Sequence, residues 1–231
     1  MFQHDITYHQ AFPVLKLQLP RGGAVKANGN AMVAMSDGIK LTGKMEGGVF
    51  GALWRSFSGE SFFLQRYEAE KDAWLWLGPA MPGAVVHLPV HNQEYLVTRG
   101  GFLAGSTGIE VSTKLQNLAK GLFSGEGLFV VRISGSGDVF LSTFGGVETI
   151  TLQDGEECVV DFGRLVAWPA SMKYNVMIPA KGLWSAVITG EILACRFTGP
   201  GTIYVQTLSN THFGVAAAAM IQPFFAQPNK T

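Results

Sequence analysis

Charge is what this sequence has least of. Only 15% of its 231 residues are Asp, Glu, Lys or Arg, against roughly a quarter in an ordinary soluble domain. The 17 basic side chains balance the 17 acidic ones. No block of five like charges occurs, so the basic face or stripe that nucleic acid requires is missing from the pattern, which argues against a nucleic-acid partner. Cysteine is nearly absent. Cys158 and Cys195 sit in apolar runs ("EECVVDF", "ILACRF") without metal-site spacing and read as small buried side chains of a protein from a reducing compartment. Long apolar runs are also missing, because "FGVAAAAMI" with "PFF" after Gln222 falls short of the roughly 18 to 20 residues that span a bilayer. The opening "MFQHDITYHQAFPVLKL" has neither a secretory signal nor an Arg-rich transit pattern. A cytoplasmic location is therefore expected. Membrane association through the apolar tail has no other support in the sequence.

Catalytic signatures are lacking too. There is no nucleophile elbow, no H-E-x-x-H, no C-x-x-C and no Walker loop, and no spacing that would set a general acid against a base. Glu156 and Glu157 are neighbours in a turn and would point to opposite sides of a strand. His87 and His91 have the i, i+4 spacing of a helical zinc pair, but Pro89 between them removes the helix. His4 and His9 read as edge polar residues. The expectation is of a protein that is not an enzyme and holds no metal and no cofactor.

Glycine and short apolar runs are abundant. Gly accounts for 29 residues and hydrophobic residues for 47%, enough for a sizeable core. Runs such as "AVVHLPV", "EYLVT", "GFLAG", "GIEVST", "GLFVVRIS" and "DVFLST" alternate with Gly, Pro, Asn and Asp, the writing of an antiparallel sandwich or barrel. The motifs "SGSGD" (Gly135, Gly137) and "TGPGT" (Gly199, Gly201) precede strand-like residues and read as hairpin turns; they lack the third glycine and the helix of a dinucleotide fingerprint. Helix is confined to "STKLQNLAKGLF" and "THFGVAAAAMI". The tryptophans Trp54, Trp74, Trp76, Trp168 and Trp184 fall in apolar runs or connectors and are expected in the core or an interface.

These runs recur. "SGESFFLQRY" at Ser58, "SGEGLFVVRI" at Ser124 and "TGEILACRF" at Thr189 are variants of one pattern, and Gly59, Gly125 and Gly190 lie 66 and 65 residues apart. Upstream, the alanines of "MVAM", "FLAG" and "LVAW" (Ala34, Ala104, Ala167) align. Internal periodicity of this kind marks a tandem architecture. The chain is read as all-β: one domain, 1–231, built of three sandwich repeats, 13–79, 80–145 and 146–209, sharing a continuous pseudo-threefold body with short helical connectors, and a tail, 210–231. A unit of about 65 residues buries little alone, so the copies are expected to pack against one another and against sister chains.

Each repeat carries an acid and a base: Glu60 with Arg66, Glu126 with Arg132, Glu191 with Arg196. A separation of six residues puts the first two pairs on one strand face but roughly 20 Å apart, so the partners of one copy cannot meet. They are candidates for contacts between repeats or subunits that fix register, or for a polar ligand site repeated around an axis. The third copy, at separation five, would need a bulge or a deletion.

The blocks "SGESFFLQRY", "GGFLAGSTGIEV", "KGLFSGEGLFVVRISGSGDVFLSTFG", "RLVAW" and "CRFTGPGTIYVQT" resemble the altered inheritance of mitochondria protein 24 family, a mitochondrial biogenesis family, from about Pro13 to Leu208. The resemblance implies a triplicated form of the fold of the tryptophan RNA-binding attenuation protein, assembled as a homotrimeric ring with ninefold pseudo-symmetry. It implies no catalytic residues, and any mitochondrial association rests on it alone. On this reading the chain is an oligomeric, non-enzymatic scaffold or interaction protein, with a ring that binds a small polar metabolite or RNA in clefts between repeats as the alternative.

Overall fold

A computed structural model describes residues 3–8, 11–44, 64–98, 100–112, 130–177 and 193–225. The strands are β1 (Gln3–Thr7), β2 (Val14–Leu19), β3 (Ala24–Asn28), β4 (Met32–Met35), β5 (Ile39–Lys44), β6 (Leu64–Ala69), β7 (Ala73–Leu77), β8 (Val85–His91), β9 (Tyr95–Thr98), β10 (Phe102–Ser106) and β11 (Ile109–Ser112). There follow β12 (Val130–Ser142), β13 (Val147–Leu152), β14 (Glu157–Asp161), β15 (Leu165–Pro169), β16 (Lys173–Met177), β17 (Ala194–Thr198) and β18 (Gly201–Gln206). A short 3-10 turn spans Phe162–Arg164, and a helix, α1, spans Asn210–Phe225. The all-β reading holds: every described element before α1 is a strand, apart from that turn. The connector "STKLQNLAKGLF" lies outside the described residues beyond Ser112.

Alternation writes the strands. In β2, "VLKLQL", Leu15, Leu17 and Leu19 turn inward while Lys16 and Gln18 face out, and in β7, "AWLWL", Ala73, Leu75 and Leu77 are buried. Burying a leucine fully is worth about 1.5–3 kcal/mol, so a one-residue slip in either strand would be costly. It is the leucines of β7 and not its tryptophans that take the core. Trp74 and Trp76 lie on the outer face, 5.2 Å apart, with the Lys16 ammonium 5.0 Å from the Trp76 ring centre. Trp168, by contrast, is fully buried, edge-on to Tyr174 and Phe197 at 5.6 Å. Trp54 and Trp184 fall outside the described residues.

All named strand pairings are antiparallel, and their order follows a rule. β7 lies between β2 and β4, while β6 lies between β3 and β5. The C-terminal half of β12 lies between β8 and β10, and its N-terminal half between β9 and β11. β18 lies between β13 and β15, and β17 between β14 and β16. The first, sixth and third strands of each set thus group together, as do the second, fifth and fourth. Two further ladders join one set to the next, β10 to β3 and β15 to β9. They produce the long sheet β13-β18-β15-β9-β12-β10-β3-β6-β5; β1-β2-β7-β4 and β14-β17-β16 stand apart.

Three buried clusters accompany the three sets. One is built mainly of β2, β3, β6 and β7 around Leu17, Tyr67 and Leu75; a second centres on Val97, Ile133 and Val139; a third on Trp168, Cys195 and Phe197. Each also takes residues from a neighbouring set, as with Phe140 in the first and Leu96 in the third, so the cores are continuous across the joining ladders.

The glycine motifs are not hairpins. Neither β6 with β7 nor β17 with β18 forms a ladder, and β12 runs unbroken through "SGSGD". At this point the chain leaves one group of strands and enters the other, a corner that strands turn by bulging or bending. Glycine is required for the corner at Gly135, where φ is 103° and a Cβ would lie 2.2 Å from the Gly108 carbonyl oxygen. The sequence pattern could not separate a corner from a hairpin, because both need glycine between two apolar runs. α1 has no such strand context. Its Phe213 ring packs edge-on to Phe144 at 5.2 Å, while Val215, Met220 and Ile221 are exposed. No helix among the described residues is long and apolar enough to cross a membrane.

Gly135→Ala is expected to lower stability by about 1–3 kcal/mol, the range for a strained backbone position. A urea midpoint equal to wild type would show that the corner does not depend on this glycine.

Candidate functional site

The repeated arginines hold equivalent places in their sets. Arg66 on β6 faces Lys26, Arg132 on β12 faces Leu96, and Arg196 on β17 faces Val159, in each case on the second strand of the set. Each guanidinium meets a carboxylate of its own set. Arg66 lies 3.3 Å from Glu68, Arg132 pairs with Glu94, and Arg196 lies 3.2 Å from Glu157. Glu94 and Glu157 come from the second strand or its approach, two residues before the arginine's facing residue. In the first set that place is Ala24, and the acid has moved across the ladder to Glu68, which faces Ala24. The charge pair is kept although the strand supplying the acid changes.

These pairs are half-exposed, a setting in which an ion pair contributes at most about 1 kcal/mol. They neutralise one another; the Arg132 and Arg196 pairs cross to the neighbouring strand or its approach, while Arg66 and Glu68 share β6. Glu60, Glu126 and Glu191 lie outside the described residues. The sequence offered no sign that Glu68, Glu94 and Glu157 would be the partners, because the ladder that brings Glu94 to Arg132 spans 38 residues.

His87 and His91 are not brought together. His87 on β8 sits opposite Phe140, and its Nε2 lies 2.8 Å from Oδ1 of the buried Asp138; Ser106 Oγ accepts the Asp138 backbone N–H at 2.9 Å. The His4 ring on β1 packs 4.4 Å from that of His87, so β1 is fastened through an aromatic contact as well as through its ladder to β2. Among the described residues no group of three His, Cys, Asp or Glu side chains could hold a metal. Both cysteines are free thiols; Cys195 is buried and Cys158 half-buried.

The most distinctive surfaces are two strand edges. β10 and β15, third strands of their sets, are paired on both sides, and so are β3 and β9, second strands. Among the described residues the remaining third strand, β4, pairs only with β7, and the remaining second strand, β14, only with β17. Both leave apolar side chains uncovered, although Val160 of β14 is buried. Met35 is 37% exposed and Val159 51%, whereas Trp168 and Leu96, in the corresponding places of a joined pair, are 0% and 2% exposed. Met32 and Val33 on β4 are exposed as well. An apolar sheet edge open to water is a template for another strand.

Burial pushes the Cys195 thiol up to about 12 from its ordinary 9.0. The folded state therefore keeps this proton between those values while the unfolded chain has lost it, so stability is full below pH of about 9 and declines as pH climbs toward 12. Cys195→Ala removes this pH dependence, and the gap between wild-type and variant urea midpoints is expected to narrow from pH of about 7 to about 11. A gap independent of pH would place the thiol in a wetter setting.

Comparison with known proteins fits this architecture. An uncharacterised protein of Streptococcus pyogenes serotype M6 is 33% identical over 210 residues, covering 87% of this chain and 84% of its own. A crystal structure of a Streptococcus pyogenes protein superposes with a TM-score of 0.79 at 30% identity, over 97% of this chain and 100% of the other. The profile of the mitochondrial biogenesis AIM24 family matches residues 4–208. With that span, from β1 to the residues just before α1, the chain belongs to the mitochondrial biogenesis AIM24 family.

Proposed function

We propose that the protein is a non-enzymatic scaffold built from three tandem sandwich units, 13–79, 80–145 and 146–209, that closes with two further copies into a pseudo-ninefold ring of the kind formed by the tryptophan RNA-binding attenuation protein. Support for the units comes from the pairing order, which recurs with each set, and from equivalently placed residues. Ala34 faces Trp76, Ala104 faces Phe140 and Ala167 faces Tyr204, each immediately after a register shift in its ladder.

The observation that carries the assembly is the uncovered apolar surface of β4 and β14 in a chain with so few charges. Covering apolar area returns about 25 cal/mol per Å², and charged residues are depleted where interfaces are buried. The reading gives RNA no role, because each repeated arginine is already neutralised by a glutamate of its own set and the net charge is zero. Nor does it assign a catalytic step to any residue. Two free thiols suit a reducing compartment such as the cytoplasm.

The full chain, analysed by size-exclusion chromatography with light scattering at micromolar concentration, is expected to give three times the chain mass. A single-chain mass would contradict the scaffold reading.

A further inference from the structure

Resting on that reading of the protein as a self-assembling scaffold, we infer that β4 of one copy pairs antiparallel with β14 of the next, with Met35 facing the second copy's Val159, and that this junction repeats the two already present inside each chain.

The register follows from the two internal junctions. In the first, Ala104 faces Ala27, Gly105 faces Lys26 and Ser106 faces Val25. In the second, Ala167 faces Val97, Trp168 faces Leu96 and Pro169 faces Tyr95. Both obey one rule: the residue after the aligned alanine faces the residue that lies opposite the repeated arginine. Gly105 meets Lys26, which faces Arg66, and Trp168 meets Leu96, which faces Arg132. For the open edges, the residue after Ala34 is Met35, and the residue facing Arg196 is Val159. Ala34 then faces Val160, and Ser36 faces Cys158.

Three observations make a second copy the occupant. First, other strands that end a sheet do so in a recurring way: β5, β11 and β16, the fourth strands, are all outermost. The first strands β8 and β13 are outermost too, whereas among the described residues β4 and β14 are outermost although both counterparts of each, β10 with β15 and β3 with β9, are covered on both sides. Second, they do not pair with each other within one chain, where they belong to separate sheets. The group β2-β7-β4 of one copy and β14-β17-β16 of the next would complete the six-strand arrangement that β8-β12-β10-β3-β6-β5 already shows inside the chain. Third, local geometry is preserved at the open edge. Ser36 Oγ accepts the Trp74 N–H at 3.0 Å, as Ser106 Oγ accepts the Asp138 N–H at 2.9 Å at a closed one. The contact is head-to-tail, so it closes into a ring or grows as a filament according to its rotation.

A single substitution tests the pairing, because Cys158 is native. Facing residues in an antiparallel pair lie about 4.5–5.5 Å apart at Cα, within disulfide reach. Full-length Ser36→Cys, oxidised with diamide and run on a non-reducing gel, is expected to shift most of the chain into covalent dimers and trimers, with complete loss of these species when Cys158→Ser is added. A trimer by light scattering that forms no cross-link overturns the β4 to β14 pairing while leaving the scaffold reading intact. A monomer overturns both. A ladder beyond three chains supports the pairing and overturns closure by three copies. Should Ser36→Cys fail to fold, Met35→Cys with Val159→Cys gives the same readout at the neighbouring facing pair, and the absence of cross-links there would equally overturn it.

Discussion

The ladders that join β10 to β3 and β15 to β9 hold the chain together as one body. Without them each set of six strands would carry its own small core and leave two edges in water. With them, Ala104 and Phe140 enter the first cluster and Leu96 enters the third, so burial passes between sets that are distant in sequence. The same requirement explains the scarcity of charge. A strand covered on both sides has few places for a solvated side chain, and most of these sets' second and third strands are so covered.

The outer features serve the same constraint. The arginine on each fifth strand meets a carboxylate two positions along the ladder, and the acid comes from the arginine's own strand at Glu68 but from the approach to the facing strand at Glu94. The neutralised pair recurs at that place in all three sets. The corner at Gly135 lets a single long strand serve two groups of partners, its first half bonded to β9 and β11 and its second to β8 and β10. In the first and third sets, the same passage takes a few residues outside the strands, between β6 and β7 and between β17 and β18.

Much of this was legible in the sequence. The strand content rests on local pattern, as do the aligned alanines Ala34, Ala104 and Ala167, which take matching places in their ladders, whereas the runs "GLFVVRIS" and "DVFLST" contribute to one strand, β12. What pattern could not convey was which runs bond. The glycine motifs look like hairpins because adjacent apolar runs separated by glycine usually pair; here the runs part company into different groups, a choice made by strands that are not their neighbours in sequence. The partners of the arginines were hidden for the same reason. The outward turn of Trp74 and Trp76 follows from alternation in "AWLWL", which leaves either the leucines or the tryptophans inside, and the match to Leu15 and Leu17 across the ladder decides it.

If strand ladders between sets are what organise this protein, then the two edges left open in one chain are closed in solution. Amide hydrogen exchange on the intact protein tests this most directly, by comparing segments 32–36 and 157–160 with their covered counterparts 102–106 and 95–98. Protection in β4 and β14 approaching that of β10 and β9, and lost on dilution to the single chain, is the expected result. Exchange at those edges as fast as at the outermost strand β5, in a protein at high concentration, would contradict the account.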